Sequence, residues 1–162
     1  MSRWCLPLLL AWLACAAPAG SQGTARKPAP KLEAVAETKL LMEGLAQSNL
    51  RGLEKMLRQP PADVEAWKFA RGQALLIAET GNLLLLRPPR NNGRAVWMER
   101  AADLRSTATG LARAVAAQDY DQSRAQLTKL AASCTRCHQS FRVPVRVVPF
   151  GNAADRDAEP VP

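Results

Sequence analysis

Between Leu32 and Arg142 the apolar residues return every three or four positions, and alternation at every second position is almost absent. That period belongs to helices that bury one face. Breaking and capping residues cut the pattern into four segments of helical length. The first runs from about Leu32 to Leu57. Val35, Met42, Asn49 and Met56 recur every seven residues, Leu45 and Gly52 fall between them, and Leu41, Leu50, Leu53 and Leu57 widen the face. Glu33 and Glu37 come early and Lys55 and Arg58 late, as the helix dipole prefers. Pro60-Pro61 stops the segment.

Asp63 is a good N-cap for the second segment, with Glu65 in its first turn. Trp67, Ala70, Ala74, Ile77, Ala78 and Leu84 mark one face, and Gly72 and Gly81 permit a neighbour to approach closely. The run Arg87-Pro88-Pro89-Arg90-Asn91-Asn92-Gly93 is a break. In the third segment Trp97, Ala101, Leu104, Ala108, Leu111 and Val115 alternate spacings of four and three, the inner seam of a bundle. The fourth begins near Asp119 or Asp121. Tyr120, Leu127, Leu130, Cys134, Cys137, His138 and Phe141 form its inward stripe, and Val143-Pro144 ends it. Four helices with short connections predict an all-α fold, an antiparallel four-helix bundle over residues 32–150. Val145, Val147, Val148 and Phe150 are expected to pack over the bundle near the residues of its C-terminal end, where the motif described next lies, and residues 151–162 read as a disordered tail.

The fourth segment also carries Cys134-Thr135-Arg136-Cys137-His138, and His138 is the only histidine of the chain. CxxCH is the attachment signature of c-type haem. Two thiols join the porphyrin vinyls, and the adjacent imidazole becomes an axial iron ligand. On a helix, Cys134 lies three residues from Cys137 and four from His138, so all three share the inward face. A single haem c would thus be bound covalently on the C-terminal helix. Competing readings of the motif lack partners. Zinc wants four ligands, and no second Cys/His pair exists. A redox CxxC wants a βαβ context, which is missing. In the smaller three-helix haem fold the motif opens the domain, whereas here it begins only at Cys134, far from the expected mature N-terminus at Gly20.

Met1 to Ala19 reads as a signal peptide. Arg3 precedes an apolar run from Trp4 to Ala17, and Ala17-Pro18-Ala19 has the small-x-small form of a cleavage site. Ala14-Cys15-Ala16 is a second candidate site, and Trp12-Leu13-Ala14 is a poor lipid-attachment signal for Cys15. Gly20 to Lys31 reads as a flexible N-terminal segment. Cleavage removes Cys5 and Cys15, leaves both remaining thiols in the haem motif, and implies a periplasmic protein with no transmembrane span in its mature chain. The chain has 22 Lys+Arg against 14 Asp+Glu, and losing Arg3 lowers the net charge from +8 to +7. Such a surplus steers acidic partners. With few aromatics and no basic run interleaved with them, the composition speaks against nucleic-acid binding.

With the motif on its fourth helix, the chain resembles the cytochrome c′ family over roughly Leu32 to Arg142. The resemblance rests on Cys134-x-x-Cys137-His138-x-x-Phe141-Arg142 and on Leu40-Leu41-Met42 followed by Ser48-Asn49-Leu50. It implies that Met42 faces the distal side of the haem. In five-coordinate relatives that residue is apolar and does not bind iron, and in low-spin relatives a methionine there is the sixth ligand. It also implies that Phe141 and Arg142 lie against the haem, Phe141 by packing and Arg142 as a charge near His138. Many relatives carry an arginine near the propionates four residues before the distal position. Thr38 stands there in this chain, so Lys39 or an arginine of the Arg87–Arg94 turn becomes the substitute. Relatives often pair through helices one and two, and the apolar width of the first helix allows such a homodimer.

Two functions follow from the distal side. If Met42 binds iron with His138, the protein transfers single electrons between extracytoplasmic redox partners and is not an enzyme. If the site is open and lined by Met42 and Leu45, it binds nitric oxide or carbon monoxide. Met56 and Met98 are the other thioethers of the mature chain, and bis-histidine ligation is ruled out by the single histidine. A peroxidase would lack a distal histidine for acid–base work. Trp67 and Trp97 read as core or haem-edge packing rather than electron relays.

Overall fold

The computed structural model describes residues 30–90 and 93–151. The expected signal peptide with Cys5 and Cys15, nearly all of the segment 20–31, Asn91, Asn92 and the expected tail beyond Gly151 lie outside the described residues. From Leu32 onward the chain makes one compact unit.

Helices α1 (Thr38–Leu41) and α2 (Ser48–Met56) are joined by a π-helical segment, Met42–Gln47. Helical backbone angles continue through both junctions, so the three pieces form one rod. The others are α3 (Val64–Leu85), α4 (Arg94–Ala116) and α5 (Tyr120–Ser140). No strand occurs among the described residues, and no helix there is long and apolar enough to cross a membrane.

The caps follow from the sequence. The Asp63 carboxylate accepts from the Ala66 amide at 2.7 Å, and that of Asp119 accepts from the Gln122 amide at 2.9 Å. Each satisfies a donor that the first turn would leave unpaired. The backbone packs in chain order: the first rod on α3, α3 on α4, α4 on α5. Contacts across the helices show that neighbours are antiparallel. The Trp97 indole N–H at the start of α4 donates to the Leu84 carbonyl near the end of α3 at 2.7 Å. The Tyr120 hydroxyl at the start of α5 donates to the Arg58 carbonyl, just past the end of α2, at 3.0 Å.

The α3 and α4 seams read from the sequence are buried except at Trp97, which is half-buried at the start of α4. Trp67, Ala70, Ala74, Ile77, Ala78 and Leu84 are buried on α3, and Ala101, Leu104, Ala108, Leu111 and Val115 on α4. Small residues bring α3 and α4 together. A Cβ added at Gly81 would stand 2.9 Å from the Ala101 carbonyl oxygen and from the Arg105 backbone. The first rod departs from expectation. It starts at Thr38, not Leu32, and Leu32 and Val35 are 82% and 94% exposed. Apolar spacing marks a face but does not supply a neighbour to cover it. The π segment also adds a residue to the register. In consequence the deepest positions are Leu41, Leu53 and Leu57, while Met42 and Met56 of the seven-residue series and the interleaved Leu45 are half-buried.

Candidate functional site

Helix α5 brings its buried row of Leu127, Leu130 and Ala131 up to Cys134. Beyond that point burial becomes partial, and Cys134, Cys137, His138 and Phe141 are all half-buried. Both cysteines are free thiols. Burial, the neighbouring Cys137 and Asp103 push the Cys134 thiol up to about 12, against smaller opposing effects of its own backbone and Arg136. Burial also raises Cys137, and Asp103 adds to it while Arg100 opposes. For both sulfurs burial thus favours the neutral thiol over the thiolate.

The last turn reverses the chain. The Val143 amide donates to the His138 carbonyl at 2.9 Å and the Arg142 amide to the Gln139 carbonyl at 3.2 Å, the Schellman pattern. Arg142 takes the left-handed position, at φ 55, that glycine usually fills. The chain then runs back along α5. Val145 reaches His138, and its carbonyl lies 2.9 Å from the imidazole Nδ1. A carbonyl oxygen only accepts, so Nδ1 carries the proton and Nε2 keeps its lone pair. Val147 reaches Thr135: its amide donates to the Thr135 hydroxyl at 3.0 Å, and that hydroxyl donates to the Val147 carbonyl at 3.2 Å. Phe150 packs on the core, with the Arg124 guanidinium 3.9 Å from its ring centre.

Neighbouring helices brace the motif. Arg136 pairs with Asp103 of α4 at 2.8 Å, and the Arg100 Nε donates to the Ser140 hydroxyl at 3.3 Å. The Phe141 ring meets that of Trp97 edge-on, with centres 5.2 Å apart. Trp97 thus links the ends of α3 and α5, and Trp67 is a core residue. Arg142 is exposed and serves the turn. Met42 opens the π segment and packs half-buried on the same core as Cys134. Met56 packs on that core at the other end of the rod, and Met98 is half-buried on α4. Lys39 is exposed and 3.8 Å from Glu43. Arg87 is half-buried, and its guanidinium donates to the Leu83 carbonyl at 2.6 Å and to the Ala36 carbonyl at 3.2 Å, two residues from Thr38.

The donor set fits a haem c. Among the described residues no three His, Cys, Asp or Glu side chains converge on one point, as a bare metal ion would require. Haem iron brings its own ring nitrogens and asks the protein for one or two axial donors. One imidazole with a presented Nε2, flanked by two thiols on one helix face, meets that demand. Thr135, Arg100 and Asp103 are not marked for this site by the sequence, and Val145, expected there as a packing side chain, is exposed and contributes its backbone carbonyl instead. Thr135, inside the motif, was the one available signal, since a hydroxyl there has both a donor and an acceptor to place.

Residues 92–142 match the family model described as Cytochrome C'. No curated protein and no solved structure matches the chain.

Proposed function

On the premise that the chain belongs to the cytochrome c′ family, matched over the two helices that carry and brace the motif, we propose that it is an exported electron carrier with histidine and methionine as axial ligands. The family is one of c-type cytochromes, whose covalently held haem supplies a one-electron iron couple. Cys134 and Cys137 would hold that group by thioether bonds, with Phe141 packed near its edge. His138 would present Nε2 on one side of the iron. Met42 would present its thioether on the other.

Met42 carries the reading. It is half-buried against the same core as Cys134 and is the first residue of a π segment. Such segments frequently occur at functional sites. The segment is also secured by side chains: the Ser48 hydroxyl donates to the Glu43 carbonyl five residues back at 3.0 Å, and the Asn49 amide donates to the Leu45 carbonyl at 2.7 Å. A thioether ligand favours ferrous iron and raises the potential. Were Met42 and His138 both to bind the iron, no position would be left for a substrate, and the protein would act as a carrier rather than an enzyme. Arg87, held beside the residues that precede α1, would stand in for the arginine that many relatives place near the propionates. The positive surplus suits acidic partners outside the cytoplasm.

Carbon monoxide binding to the reduced protein tests this. The native chain should bind it slowly, because Met42 must leave first, and Met42→Ala should bind it at least tenfold faster. Equal, fast binding by both would favour the gas-binding alternative, with an open distal side.

A further inference from the structure

The family match ends at Arg142, and the return segment begins at the next residue. We propose that Val143–Phe150, anchored by Thr135, is a clasp that fixes the tautomer and orientation of His138 and so sets how strongly its Nε2 donates to iron. The inference rests on the reading of His138 as the axial ligand.

Four observations carry it. First, Arg142 stands in left-handed backbone at the end of α5, and the chain turns back along that helix from there. Second, the Val145 amide turns back to the Val143 carbonyl at 2.8 Å around Pro144. This tight turn keeps the Val145 carbonyl at Nδ1, and proline's fixed φ limits its freedom. Third, Thr135 uses its hydroxyl as donor and acceptor at once, gripping both the amide and the carbonyl of Val147. Thr135 and His138 are three apart on α5, hence adjacent on its surface. Two residues of strap bridge the distance between them. Fourth, the far end is held by Phe150, packed on the core under the Arg124 guanidinium. The carbonyl at Nδ1 is thus braced on both sides.

The chemical consequence has a sign. An Nδ1–H that donates to a carbonyl makes the imidazole a more basic ligand, and such outer partners often change metal affinity or activity 10–100-fold when lost. A more basic imidazole favours the ferric state. Thr135 is therefore a positioning residue. Loosening the clasp weakens the donor and moves the equilibrium toward ferrous iron.

The test compares the native holoprotein with Thr135→Val, Thr135→Ser and a chain ending at Pro144, which keeps every helix and the Val143 amide that caps α5. Covalent haem on each denatured protein is measured first. The expected result is an upward shift of the reduction potential in Thr135→Val and in the shortened chain. The shift should be about tenfold in the ferric–ferrous equilibrium, which is 59 mV for one electron. The His138 Nδ1 proton of the reduced protein should also exchange faster in both, and Thr135→Ser should restore native values. Haem retained with unchanged potential and exchange in both variants would overturn the clasp and leave the ligand reading standing. A native chain without covalent haem would overturn both.

Discussion

The two ends of the bundle are built differently. At the end where α2 stops and α5 starts, the core is closed. Leu53, Leu57, Leu111, Val115 and Leu127 have no exposed surface. The carbonyls left over at the end of α2 are taken up in turn: Tyr120 donates to that of Arg58, and Arg124 Nη1 donates to that of Leu57 at 2.6 Å. At the opposite end Met42, Trp97, Cys134, Cys137, His138 and Phe141 are all half-buried. There the first rod changes to π geometry and the chain folds back on itself. One end has the packing of a finished core. The other holds donor side chains that hydrocarbon alone does not cover. Stability and chemistry are thereby separated along one set of helices.

The half-buried end should differ most from an unfolded chain in the reactivity of its thiols. The nucleophile in alkylation is the thiolate. In the folded, haem-free chain the Cys134 thiol is raised to about 12, so its thiolate is scarce at pH 8. Its alkylation there should be roughly a thousandfold slower than in denaturant, where the usual value near 8.5 returns. The rate should climb about tenfold per pH unit up to that raised value, and mass spectrometry of each cysteine would follow it. A native rate close to the denatured one would mean that α5 does not bury Cys134.

Leu127→Ala probes the closed end. Its side chain is fully enclosed, so truncation should lower unfolding stability by about 2–5 kcal/mol in urea titrations. The haem content and optical spectrum of the protein that remains folded should be native. A changed spectrum would show that the two ends are coupled rather than separate.

Much of this architecture was legible in the residues. The α3 and α4 seams were read position by position because a 3.6-residue period and small side chains leave a clean signature. CxxCH announced its own face of α5. The first rod was harder. A π segment inserts a residue without any marker in the sequence, so the seven-residue series through Val35, Met42 and Met56 looked like the seam while Leu41, Leu53 and Leu57 took the deepest places. The clasp was harder still. Val145 acts through its backbone carbonyl, an atom every residue has. Only the fold decides which carbonyl arrives at Nδ1.

If Met42 binds the iron opposite His138, as proposed, the far-red absorption of the oxidised protein carries the signature. The native chain should show a methionine–iron charge-transfer band that Met42→Ala abolishes. A high-spin ferric spectrum in the native chain, unchanged by Met42→Ala, would contradict it.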